Sequence, residues 1–172
     1  MNPQSVGDRN RALINALLTA VLMLTLAPIS AVTALVGYNP DRWDGRGNPL
    51  LLIPKILAMA FFGLFTTPLW PTFIPAVLLT PLLMQIAAQQ PIFRQMPMAW
   101  LLAISLCIGA VAGIVVLSPV FKGSVADSRD LTMNWICAGA VSGAVTLSAI
   151  TLMHRFMNNG KNCPATFTAK PD

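Results

Sequence analysis

CIGAVAGIVVLS, from Cys107 to Ser118, returns thirty residues later as CAGAVSGAVTLS, from Cys137 to Ser148, with eight of twelve positions identical. Each copy carries two glycines four apart, Gly109 with Gly113 and Gly139 with Gly143, so each puts a strip of bare backbone along one face of an apolar helix. Helices pack this way in lipid. Hydrocarbon surroundings supply no hydrophobic drive between two helices, and close approach over small residues is what gains dispersion contact. The four glycines are therefore the expected helix-packing residues. On adjacent antiparallel helices the two strips should face each other, or one should face another copy of the chain. Both segments draw on the same Gly, Ala and Val alphabet, so the packing argument stands without a duplication.

The composition agrees with a life in lipid. The 172 residues are 55% hydrophobic and 10% charged, where a soluble domain carries about 25% charged residues. Charges are absent from residues 12–40, 56–93, 95–121 and 131–153, runs of 29, 38, 27 and 23 residues. A span needs about 20 apolar residues to cross a hydrocarbon core of about 30 Å. Four runs of that length predict at least four crossings.

The second run is the difficult one. From Leu50 to Gln90 it contains Pro54, Pro68, Pro71, Pro75 and Pro81, and its uncharged part would be about 57 Å long as straight helix. One reading is a single long second span, interrupted near Thr66 to Pro71, with Pro68, Pro71, Pro75 and Pro81 as the helix-break residues. The other is a tight hairpin turning at TTPLWP, residues 66–71, which makes five spans. That turn would offer only threonines to water and carries no charge, so the interrupted span is preferred.

The predicted fold is all-α, a polytopic transmembrane helical bundle of four spans. Residues 1–11 form a cytoplasmic N-terminal tail, 12–156 the transmembrane domain and 157–172 a flexible C-terminal tail. The apolar run from Ala12 to Val36 is longer than a signal-peptide core and lacks an Ala-x-Ala site, so it reads as an uncleaved first span. Pro28 should kink it, with Thr25 or Ser30 available to the freed carbonyl. The third span should run from about Met98 to Leu117 and the fourth from about Leu131 to Met153, closed by His154 and Arg155. With the N-terminus inside, six Lys and Arg lie on the inner side and five outside; the five-span alternative gives seven against four, which fits the positive-inside rule better.

The chemistry available to such a chain is narrow. The predicted spans contain no Asp, Glu, Lys, Arg or His, so proton relays and ion-coupling sites have no residues to be built from. Their polar residues, Asn15, Thr19, Thr25, Ser30, Thr33, Gln85, Ser105, Asn134, Ser142, Thr146, Ser148 and Thr151, suit interhelical hydrogen bonds. Asn15 and Asn134 sit near span ends and should meet headgroups or caps. Cys107 and Cys137 differ in depth by roughly 7 Å, too far apart for a bridge, and Cys163 has no partner at metal-ligand spacing. In the first loop Arg42 and Trp43 stand between Asp41 and Asp44, which breaks a calcium-loop pattern.

No catalytic, cofactor-binding or metal-binding residues are therefore assigned, no cofactor is expected, and the chain is not read as an enzyme. The eleven Lys and Arg form no basic run, so nucleic acid is not an expected partner. The expected partners are the lipid bilayer and either a membrane protein or further copies of the chain. The expected setting is a cell membrane, crossed several times, of the bacterial inner-membrane type. The function expected is that of a non-catalytic subunit, assembly factor or scaffold working through helix contacts. The alternative is a passive pore or transport component with a path beside the broken second helix.

Overall fold

A computed structural model of the chain describes residues 3–38, 49–66, 69–124 and 129–159. Among them every element is helical: α1 (Pro3–Tyr38), α2 (Pro49–Thr66), α3 (Trp70–Gln89), the single turn and a half of α4 (Pro91–Gln95), α5 (Met98–Ser124) and α6 (Arg129–Asn159). Four stretches are long and apolar enough to cross a membrane: Arg9–Tyr38, Trp70–Gln89, Met98–Pro119 and Thr132–Met157. The chain is an all-α, multi-pass membrane bundle of four spans. Helices are the open structure a bilayer allows, because each closes its own backbone hydrogen bonds.

Interhelical contacts fix the direction of each helix. Ser142 bonds Ala27 while His154 bonds Thr19, so α6 runs antiparallel to α1. Gly109 meets Gly143 and Gly113 meets Gly139, so α5 and α6 are antiparallel too. The side-chain amide of Gln85, near the end of α3, donates to the carbonyl of Ala12 near the start of α1. The four spanning helices thus follow an up-and-down order. α6 is the central element, packed most extensively on α5 and then on α1, while α3 leans on α1 and touches α5 and α6 sparsely.

The inside-out distribution of side chains follows from the solvent. Leu17, Leu78, Leu83 and Val111 point outward, Leu78 with 70% of its surface exposed, while the interior collects Ala31, Ala138, Thr19, Ser142 and Thr146. Lipid rewards large apolar groups on the outside as readily as inside, so burial selects small residues that let backbones approach.

Two expectations change. The second run is interrupted where expected, α2 ending at Thr66 and α3 beginning at Trp70, but α3 by itself is long and apolar enough to span, while the described apolar part of α2, Ile53–Gly63, is shorter. Pro71 lies in the first turn of α3, where its missing N–H was never needed. Pro75 and Pro81 do not break the helix: α3 runs through both, as spanning helices with packed neighbours tolerate. Pro68 lies outside the described residues. The second change is at Pro28, which frees the carbonyl four residues back, on Leu24. Thr25 instead donates to Val21 and Ser30 to Leu26 and Ala27. α1 begins at Pro3, so residues 3–11 are helical. Residues 39–48 of the first loop and the tail from 160, with Cys163, lie outside the described residues.

Candidate functional site

The structure brings all four glycines into one seam. A Cβ built on Gly109 or Gly143 would collide with the other's carbonyl oxygen, and one on Gly113 with the carbonyl of Gly139. From Gly139 the nearest atom, the Gly113 oxygen, would be 2.9 Å away, and the Gly113 carbonyl carbon 3.1 Å. Backbone therefore lies directly on backbone between α5 and α6, and at Gly109, Gly113 and Gly143 the approach is closer than any residue with a side chain permits. One turn further along, Ser105 and Thr151 share a hydrogen bond of 2.8 Å. Each oxygen also lies within reach of a carbonyl one turn back, Ser105 of Leu101 and Thr151 of Leu147, so one hydroxyl donates to its own helix and the other donates across to it.

On its other side α6 carries a second seam. Asn134, Ala138, Ser142, Thr146, Ile150 and His154, spaced by four, are all buried. Side chains four apart lie on nearly one face and form the ridge that packs into a neighbour's grooves. Ser142 Oγ donates to the Ala27 carbonyl at 2.7 Å, and His154 Nε2 lies 3.1 Å from Thr19 Oγ1. Thr19 already donates its hydroxyl proton to the Asn15 carbonyl at 2.7 Å. Its oxygen is thus placed to accept from His154 Nε2 in the tautomer that carries the proton there.

His154 was expected just beyond the fourth span. It lies inside it, 1% exposed, and is the one ionisable residue buried between helices among the described residues. Arg155 follows, its guanidinium donating to the Met96 carbonyl at 2.6 Å beside the α4–α5 junction. Asn134 also departs from expectation: it is 5% exposed, and its Oδ1 has no hydrogen-bond partner among the described residues. The spacing of four from Asn134 to His154 was present in the sequence and is the signal that would have found this seam. It is masked by Ala138 and Ile150, which a polar-residue inventory skips.

A cavity of about 180 Å³ lies between α1, α3, α5 and α6, bounded at one end by Met59, Ala60 and Gly63 of α2. It adjoins the α2–α3 break at Leu69, and no charged residue lines it. Cys107 faces outward and Cys137 is half-buried, both as free thiols. Among the described residues no three His, Cys, Asp or Glu side chains come together at metal-binding range.

Outside the bundle proper, α2 packs on α1 and carries a ladder of rings. Phe61 meets Phe65 edge-on at 5.1 Å and Phe62 at 5.9 Å, and Phe65 reaches across the break to Trp70 at 5.8 Å. Phe61, Phe62 and Phe65 are each more than half exposed. The chain matches no protein-family model, no curated protein and no solved structure. Its functional reading rests on this geometry.

Proposed function

We propose that the chain is a non-catalytic component of a membrane assembly, a subunit, assembly factor or scaffold that works through helix contacts with a membrane-protein partner or with its own copies. The observation that carries this is the ring ladder on α2. The glycine strips are consumed inside the bundle, against each other, so the contact surface has to lie elsewhere. α2 packs mainly on α1 and meets α3 through the Phe65–Trp70 ring contact, leaving Phe61, Phe62 and Phe65 each more than half exposed. Interlocked rings present a large apolar area that is already ordered, so a partner helix that packs on them forgoes little side-chain freedom.

The setting that fits is a bacterial inner membrane with both termini on the cytoplasmic side, an orientation supported by the six-to-five balance of Lys and Arg. Catalysis has little to work with: the single histidine spends Nε2 on Thr19 within the bundle. The test is affinity purification of the tagged chain in mild detergent, alone and with Phe61→Ala and Phe65→Ala together. A partner or a higher oligomer that is retained by the wild type and lost by the variant supports the reading. A strictly monomeric wild type with no retained protein contradicts it.

The cavity beside the α2–α3 break favours a second reading, a passive pore or transport component. Its hydrocarbon wall opposes this, since a hydrated path needs polar groups to replace lost water. Liposomes containing the purified chain decide between them. Downhill leakage of small solutes would promote the pore, and a tight membrane would retain the contact reading.

A further inference from the structure

The cavity is more than a packing defect in what its wall contains. Met23, Met59, Phe73, Val116, Leu147 and Ile150 supply hydrocarbon, and the polar side chains in the described lining are the hydroxyls of Thr80, Ser142 and Thr146 and the indole of Trp135. Thr80 donates to the Ala76 carbonyl and Ser142 to the Ala27 carbonyl, each at 2.7 Å. Thr146 differs. It is 4% exposed, and its Oγ1 has no hydrogen-bond partner among the described residues. Thr19, Thr25, Thr33 and Thr151 in the same kind of helix all bond a carbonyl one turn back, so an unbonded threonine here is an exception to the chain's own habit. A buried hydroxyl without a partner is costly, and one beside an open volume can be satisfied by whatever enters it.

Water is a poor occupant. It needs two to four polar partners, and an apolar cavity of about 150 Å³ stays dry and takes up benzene instead. We propose that this cavity is a binding site for a lipophilic molecule that places a compact hydrocarbon end, about the size of a benzene ring, between α1, α3 and α6 and accepts a hydrogen bond from Thr146 through one carbonyl oxygen. Two sources share that chemistry, an acyl ester of the surrounding bilayer and a small free ketone or ester dissolved in it. Entry lies along α3, whose contacts with α5 and α6 are sparse. The site does not depend on the contact reading above, since none of its lining belongs to the exposed rings of α2.

The test uses a pair of probes that differ by one carbonyl, 4-fluoroacetophenone and 4-fluoroethylbenzene. Their ¹⁹F resonances are followed during titration into the purified full chain in detergent micelles, with empty micelles as the reference. Both should bind saturably, the ketone more tightly. Thr146→Val, which keeps the shape and removes the donor, should weaken the ketone about fivefold, the weight of one neutral hydrogen bond, and leave the hydrocarbon unchanged. Ala76→Leu, which fills the cavity from α3, should abolish saturable binding of both while the helical content by circular dichroism is retained. Displacement of the ketone by added diacyl phospholipid assigns the site to a bilayer ester, and its absence assigns the site to a free lipophile; the proposal holds in either case. It is overturned if neither probe departs from empty-micelle partitioning in the wild type, or if Thr146→Val leaves the preference for the ketone intact.

Discussion

The glycine seam makes a prediction that separates residues looking alike in the sequence. Placing a methyl at Gly143 drives it onto the Gly109 carbonyl, with the Gly109 carbonyl carbon and the Gly113 Cα both at 2.8 Å. Placing it at Gly139 brings it to 2.9 Å from the Gly113 oxygen and 3.2 Å from the Ile114 Cα. A carbon meets a carbonyl oxygen comfortably at about 3.3 Å. Gly139→Ala therefore asks for a shift of about 0.4 Å. Gly143→Ala demands about 1 Å or more, from backbone that has no rotamer to yield. A gap of that size forfeits a quarter to a half of the dispersion along the seam, and overpacking of this kind costs about 1–3 kcal/mol. Against this, alanine gains about 0.8–1 kcal/mol over glycine as a helix former. Gly139→Ala should thus fall within about 1 kcal/mol of the wild type, and Gly143→Ala, whose overpacking lies at the upper end of that range, should lose more, up to about 2 kcal/mol net. Reversible unfolding in mixed micelles of a mild detergent and dodecyl sulfate measures both, with Val115→Leu on the exposed face of α5 as a control expected to change nothing. Equal losses at Gly139 and Gly143, or no loss at either, would refute the reasoning.

Other perturbations follow from the polar contacts. Ser142→Ala removes the bond to Ala27 and should cost about 0.6 kcal/mol in the same assay, the average for interhelical hydrogen bonds, whereas Thr33→Val, which loses only a bond within its own helix, should be neutral. Thr19→Val leaves His154 without its partner and should cost about 1–3 kcal/mol; adding His154→Phe should recover most of it, because apolar groups replacing both partners leave nothing unsatisfied. Thr72 Oγ1 donates to the Val116 carbonyl at 2.8 Å and is one of few ties between α3 and α5. Thr72→Val should accelerate hydrogen exchange in α3 while α5 and α6 hold theirs.

Much of the fold was legible because charge placement and helix length leave few options in a bilayer. The uncharged runs marked the first, third and fourth spans, and the four-residue spacing of Gly109, Gly113, Gly139 and Gly143 named residues that the structure sets against one another. What escaped was set by three-dimensional neighbours. Pro71, Pro75 and Pro81 look equally disruptive on paper, yet one falls in a first helical turn and two are carried through by α3, and nothing in composition distinguishes these places. His154 stood beside Arg155 and read as a span end. Its burial depends on Thr19 arriving from α1, more than a hundred residues away in sequence. The cavity was invisible for the same reason, since it is bounded by Met59, Phe73, Val116 and Thr146 from four separate helices.

The account rests most heavily on α3 alone forming the second crossing, with α2 staying on one side. Single cysteines at positions 45, 94, 124 and 160, in a chain with Cys107, Cys137 and Cys163 replaced by serine or alanine, can be labelled in intact cells with a membrane-impermeant maleimide. The account predicts alternation: 45 and 124 labelled from outside, 94 and 160 protected until the membrane is opened. Labelling of 94 and 160 on the same side as 45 would mean that α2 and α3 both cross, and would contradict it.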